Sequence, residues 1–153
     1  IETCYEVTNQ ALETTFDQLE KQNVMMEGMV LKPNMVISGL ESSRQATVKE
    51  VAQATVRCLL AHVPEVVPGI AFLSGGQNDI LATRHLNAMK QIGGFPWELS
   101  LSYGRALQAP VLESWQGRAA NVPTSQKAYL HRAKCNGAAR SGGYCESWDS
   151  VSA

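Results

Sequence analysis

Thr8, Leu12, Phe16 and Leu19 recur at helical spacing near the start of the chain, with Glu13, Asp17, Glu20 and Lys21 on the other faces. This predicts an amphipathic helix. After Asn23 the pattern turns continuous: Val24-Met25-Met26 and then Met29-Val30-Leu31, bounded by Gly28 and Pro33. Such a run suits a strand buried on both faces, expected near residues 29 to 36. Ser42 and Gln45 fit a capping box ahead of Val48, Val51, Ala52, Thr55, Val56, Leu59, Leu60 and Val63, the strongest helical pattern in the chain. Pro64 and Pro68 close it, and Gly69-Ile70-Ala71-Phe72-Leu73 predicts a second strand, residues 69 to 74, that runs into Ser74-Gly75-Gly76. Ala82, Leu86 and Met89 mark another helix, stopped by Gly93-Gly94. A third strand follows near residues 98 to 103 and ends at Gly104-Arg105. Two short helices are expected beyond it, one from Val111 to Trp115 and one from Pro123 toward Ala139, with Pro123 at the first helical position.

Apolar strands alternating with helices imply parallel strands joined by right-handed crossovers, hence an α/β architecture. No second composition regime and no near-identical repeat divides residues 1 to 153, which read as one domain or one piece of one. A net charge of -1 with 18% charged residues offers no broad field for nucleic acid or an anionic membrane surface. The longest apolar runs are strand-sized, far below the roughly 20 residues of a membrane helix. A soluble protein with no nucleic-acid or membrane partner is expected. Ile1 to Glu6 have neither the basic start nor the apolar core of a secretion signal and no initiating methionine, so the chain is expected to begin inside a longer one.

Cys4, Cys58, Cys135 and Cys145 are scattered without C-x-x-C spacing, and His62, His85 and His131 are expected to be solvated residues on helices. No metal site is read from them. Trp97, Trp115 and Trp148 are assigned to packing.

Chemically capable groups finish each predicted strand, the position where barrels and open α/β sheets build their sites. Lys32 lies within Met29-Val30-Leu31-Lys32-Pro33-Asn34-Met35-Val36. An apolar surround shields such a lysine from water and disfavours its ammonium form, and a neutral amine attacks carbonyls. Ser74-Gly75-Gly76 offers a hydroxyl and backbone N–H groups that glycine lets approach an anion closely. Ser102-Tyr103-Gly104-Arg105 adds a planar guanidinium suited to phosphate oxygens. Taken singly, each has an ordinary reading: a surface lysine, a turn and a solvated arginine.

Together they resemble the class I fructose-1,6-bisphosphate aldolases. Leu31-Lys32-Pro33-Asn34-Met35-Val36, Gly69 to Gln77, Leu86-Asn87-Ala88-Met89 and Ser102 to Ala109 look like that family's motifs in the family's order, and the likeness runs to about Tyr144. The resemblance implies the C-terminal part of an eight-stranded TIM barrel, with strands one to five, and the carboxylates and second lysine that move protons, lying before this chain. It makes Lys32 the Schiff-base lysine on the sixth strand. It sets Ser74 and Gly75, with Gly76 beside them, at a substrate phosphate on the seventh, and Ser102, Gly104 and Arg105 at a phosphate on the eighth. It further implies cleavage of fructose 1,6-bisphosphate to dihydroxyacetone phosphate and glyceraldehyde 3-phosphate without cofactor or metal, in a cytoplasmic homotetramer of glycolysis and gluconeogenesis. The ending Ser150-Val151-Ser152-Ala153 departs from the final tyrosine of many animal members. Two other readings stand beside this one: a non-catalytic module that keeps the phosphate contacts, and Schiff-base chemistry on another sugar phosphate.

Overall fold

The computed structural model describes residues 1–151. Ser152 and Ala153, on which part of the expectation about the chain's ending rests, lie outside the described residues. Helix α1 (Glu2–Lys21) turns Leu12 and Phe16 inward, as their spacing predicts. It packs on α2 (Val48–His62), which packs on α3 (Asp79–Ile92), which in turn packs on α5 (Val122–Arg140), the neighbour of α4 (Arg105–Trp115). Three strands, β1 (Val30–Leu31), β2 (Gly69–Phe72) and β3 (Glu98–Leu101), form a parallel sheet in the order β1-β2-β3. Val30 pairs with Gly69, and Gly69 with Glu98. The sheet does not close on itself, and its architecture is the α/β strand–helix alternation of a TIM barrel.

Side chains alternate across this sheet. Ile70, Phe72 and Leu99 are buried against the helices, whereas Val30 is 62% exposed and Leu73 37% exposed on the other face. The expected first strand is therefore corrected in two ways. Only Val30 and Leu31 pair as a strand, and the run is not buried on both faces, because among the described residues nothing covers the face opposite the helices. The chain from Pro33 to Ser38 is pinned by other bonds. The Leu73 amide donates to the Pro33 carbonyl at 2.9 Å, and the Val36 amide donates to the Thr55 hydroxyl of α2 at 3.0 Å.

The capping box is also displaced. Thr47, not Ser42, caps α2: the Glu50 amide donates to Thr47 Oγ1 at 3.3 Å and the Thr47 amide donates to Glu50 Oε2 at 2.8 Å. Ser42 and Gln45 instead close turns on Arg44, Gly39 and Ser42 carbonyls, the side chains competing locally for backbone groups as short polar residues do. The fourth helix is longer than expected, whereas the fifth matches the expected span from Pro123 toward Ala139 to within a residue at each end, with Val122 rather than Pro123 as its first residue. α4 begins at Arg105 and carries Pro110 in its second turn, and α5 runs for 19 residues with Pro123 in its first turn.

Candidate functional site

The carboxyl ends of the three strands lie side by side. Beyond the regular ladder, the Leu73 amide bonds to Pro33 at 2.9 Å and the Ser102 amide bonds to Phe72 at 2.8 Å, so the residues after each strand stay in register. Lys32, Ser74 and Arg105 accordingly share one end of the sheet, as the sequence leads one to expect. Lys32 continues the alternation of Val30 and emerges on the uncovered face, where it is exposed. The shielding anticipated for it requires apolar groups on that face, and none of the described residues supplies them.

The glycine turn sits directly on the segment after β1. A Cβ on Gly75 would come 3.2 Å from Asn34 Oδ1, and one on Gly76, whose φ is +73°, would come 2.8 Å from a methyl carbon of Ile37. Gly76 thus meets both demands that favour glycine, a left-handed backbone and a close neighbour. The Gln77 amide closes the turn on the Ser74 carbonyl at 3.1 Å, and Asn78 then caps α3 by accepting from the Leu81 amide at 2.8 Å. Behind the turn, His85 of α3 sets its Nδ1 2.6 Å from Gln77 Oε1. His85 is buried, not solvated as expected, and burial lowers its pKa to about 4, so the neutral ring donates Nδ1–H to the Gln77 carbonyl oxygen.

After β3, the Tyr103 hydroxyl donates to the Ala82 carbonyl at 2.8 Å and fixes the strand end against α3. Gly104 is the N-cap of α4 and Arg105 its first residue, both exposed. Neither Lys32 nor Arg105 forms an ion pair with any described residue. Lys32 and Arg105, both exposed, thus lie at the same end of the sheet as the buried Ser74, the amides of the glycine turn and the N-terminus of α4, a setting of the kind that stabilises anions. Asn34, Ile37, Gln77 and His85 were missed as supports. Asn34 and Gln77 lie inside the motifs, but the contacts that matter join the glycine turn to the segment after β1 and to α3, which patterning along the chain does not show.

Some assignments elsewhere change. Trp97 is a packing residue, 3% exposed with its indole N–H on the Pro64 carbonyl at 2.9 Å, whereas Trp115 and Trp148 are each 41% exposed. The four cysteines are free thiols. His131 is not an isolated surface histidine: Cys135, four residues on along α5, and Asp149 stand beside it. That helical i, i+4 spacing is present in the sequence and was overlooked.

The fold is of the α/β-barrel class, with Lys32, Ser74 and Arg105 beyond the carboxyl ends of its three strands. The family model "Fructose-bisphosphate aldolase class-I" matches residues 1–153. The chain is 50% identical over 143 residues to a probable class 1 fructose-bisphosphate aldolase of Xanthomonas axonopodis pv. citri, covering 93% of this chain and 43% of that one. It is 47% identical over 144 residues to the fructose-bisphosphate aldolase of Dictyostelium discoideum, covering 94% and 40%. The Plasmodium falciparum aldolase, solved in complex with TRAP and a small-molecule inhibitor, superposes with a TM-score of 0.90 at 44% identity, over 94% of this chain and 42% of that one. The chain belongs to the class I fructose-bisphosphate aldolase family. It spans about two-fifths of the length of these relatives.

Proposed function

We propose that this chain supplies the Schiff-base lysine and the phosphate contacts of a metal-independent fructose-bisphosphate aldolase. What supports the reading is that the carboxyl ends of β1, β2 and β3, which lead into Lys32, Ser74–Gly76 and Ser102–Arg105, lie side by side in a chain of this family. In this account the Lys32 amine attacks the ketose carbonyl and water leaves. The resulting iminium draws in the electrons of the bond between the third and fourth carbons, and cleavage releases glyceraldehyde 3-phosphate and leaves an enamine. Protonation and hydrolysis of the enamine then free dihydroxyacetone phosphate and the amine. Ser74, Gly75 and Gly76 hold one phosphate, and Ser102, Gly104 and Arg105 hold one from the neighbouring strand, with the Arg105 fork acting as the charged donor.

The groups that move protons are assigned to earlier strands of one barrel domain, to which residues 1–153 contribute the last three strands. The coverage of two-fifths and the open sheet support this. A cytoplasmic homotetramer serving glycolysis and gluconeogenesis completes the reading, on the strength of the resemblance. No helix is long and apolar enough to cross a membrane among the described residues. The exposure of Lys32 in residues 1–153 favours, for this stretch by itself, the second reading of a phosphate-binding piece without turnover. In a protein of the relatives' length carrying this chain, cleavage of fructose 1,6-bisphosphate should survive a metal chelator and be abolished by Lys32→Arg. Full cleavage by that variant would refute the assignment.

A further inference from the structure

Outside the strand-end site, the helical layer holds a group of ligand atoms that the aldolase reading does not use. His131 Nε2 lies 3.3 Å from Asp149 Oδ1 and 3.6 Å from Cys135 Sγ, and Sγ lies 3.9 Å from the same carboxylate oxygen. A tetrahedral zinc ion, with bonds of about 2.0–2.3 Å, holds nitrogen, oxygen and sulfur ligands roughly 3.3–3.6 Å apart. Two of the three separations fall in that range without movement and the third is within a few tenths of an ångström. We propose that His131, Cys135 and Asp149 form a binding site for a borderline divalent transition metal, zinc in the first instance, that clamps the 3-10 helix Glu146–Val151 onto α5.

Thiolate, imidazole and a single carboxylate oxygen select zinc or cobalt over magnesium or calcium, which take oxygen ligands. The groups behind the ligands are already arranged. Asp149 accepts from Arg132 on one oxygen and from the Tyr144 hydroxyl on the other, which fixes the carboxylate plane. Arg132 is the obstacle, since its positive charge opposes a metal ion. It is counterbalanced on its far side by Asp79 at 3.6 Å, and it also donates to the Thr83 hydroxyl at 2.7 Å, so its charge is not concentrated on Asp149. Cys135 is fully buried, but His131 and Asp149 line an open cavity of about 620 Å³, which gives the ion an entry path and leaves room for a water as fourth ligand. Loading exchanges the Cys135 thiol proton for the metal, and the proton leaves to solvent. None of the three ligands comes from a strand end, so this site stands apart from the proposed chemistry.

Cobalt titration of the chelator-stripped protein tests this without recourse to activity. Binding of about one Co²⁺ per chain should produce the near-ultraviolet thiolate charge-transfer band and intense visible bands of a four-coordinate ion, and Zn²⁺ should abolish both. Cys135→Ser should remove the charge-transfer band. His131→Gln, at a partly exposed position that keeps the fold, should weaken binding by more than about a hundredfold, beyond what loss of a group behind a ligand causes. Cys145→Ser, which removes the exposed thiol, should change neither. Absence of the bands, their survival in Cys135→Ser, unchanged affinity in His131→Gln, or their loss in Cys145→Ser would each overturn the site.

Discussion

His85 shows how one buried side chain ties the stability of this protein to pH. Its ring is held neutral with a pKa near 4, against 6.5 for the free side chain. Between those values the unfolded chain binds a proton that the native chain refuses, so stability is full above about pH 6.5 and falls as the pH drops toward 4. The depression corresponds to on the order of 3 kcal/mol. Urea unfolding at pH 7.5 and pH 5 should show this loss, and His85→Gln should flatten it. An unchanged slope in the variant would mean that other groups carry the effect. The residue was misread because helical patterning reveals one apolar face, whereas α3 is packed by α2 on one side and α5 on the other. Two neighbours widen its buried face to include Thr83, His85 and Asn87. The positions of Lys32, Ser74 and Arg105 were legible for the opposite reason: each follows a strand whose apolar run is plain in the chain.

At the scale of elements, the strands and their parallel order followed from apolar runs separated by helices, because a right-handed crossover leaves few alternatives. The ends of elements were harder to read. Two polar pairs, Ser42 with Gln45 and Thr47 with Glu50, precede α2, and only the fold decides which meets the first free amides. Thr47→Ala should therefore cost about 1 kcal/mol in denaturant unfolding, while Ser42→Ala should leave stability within experimental error. The reverse outcome would place the cap where the sequence alone suggested it. The helix after β3 was expected only from Val111 to Trp115. α4 nevertheless begins at Arg105, although Pro110 cannot donate a hydrogen bond to the Ala106 carbonyl.

For the whole molecule, the uncovered sheet face and unpaired outer edges of β1 and β3 make residues 1–153 an open piece of a barrel. Such edges template association, and closure is what removes them. Expressed alone, residues 1–153 should self-associate in sedimentation or light scattering and should not cleave fructose 1,6-bisphosphate; a monodisperse, fully active preparation would show that closure is dispensable. The burial expected for Lys32 does not follow from the apolar run around it, because its side chain faces the uncovered side of the sheet. Reductive trapping tests Lys32 itself. A protein of the relatives' length carrying this chain is incubated with dihydroxyacetone phosphate, reduced with borohydride and mapped by peptide mass. The covalent adduct should fall on Lys32 alone; an adduct on any other lysine, with Lys32 unmodified, would contradict the mechanism.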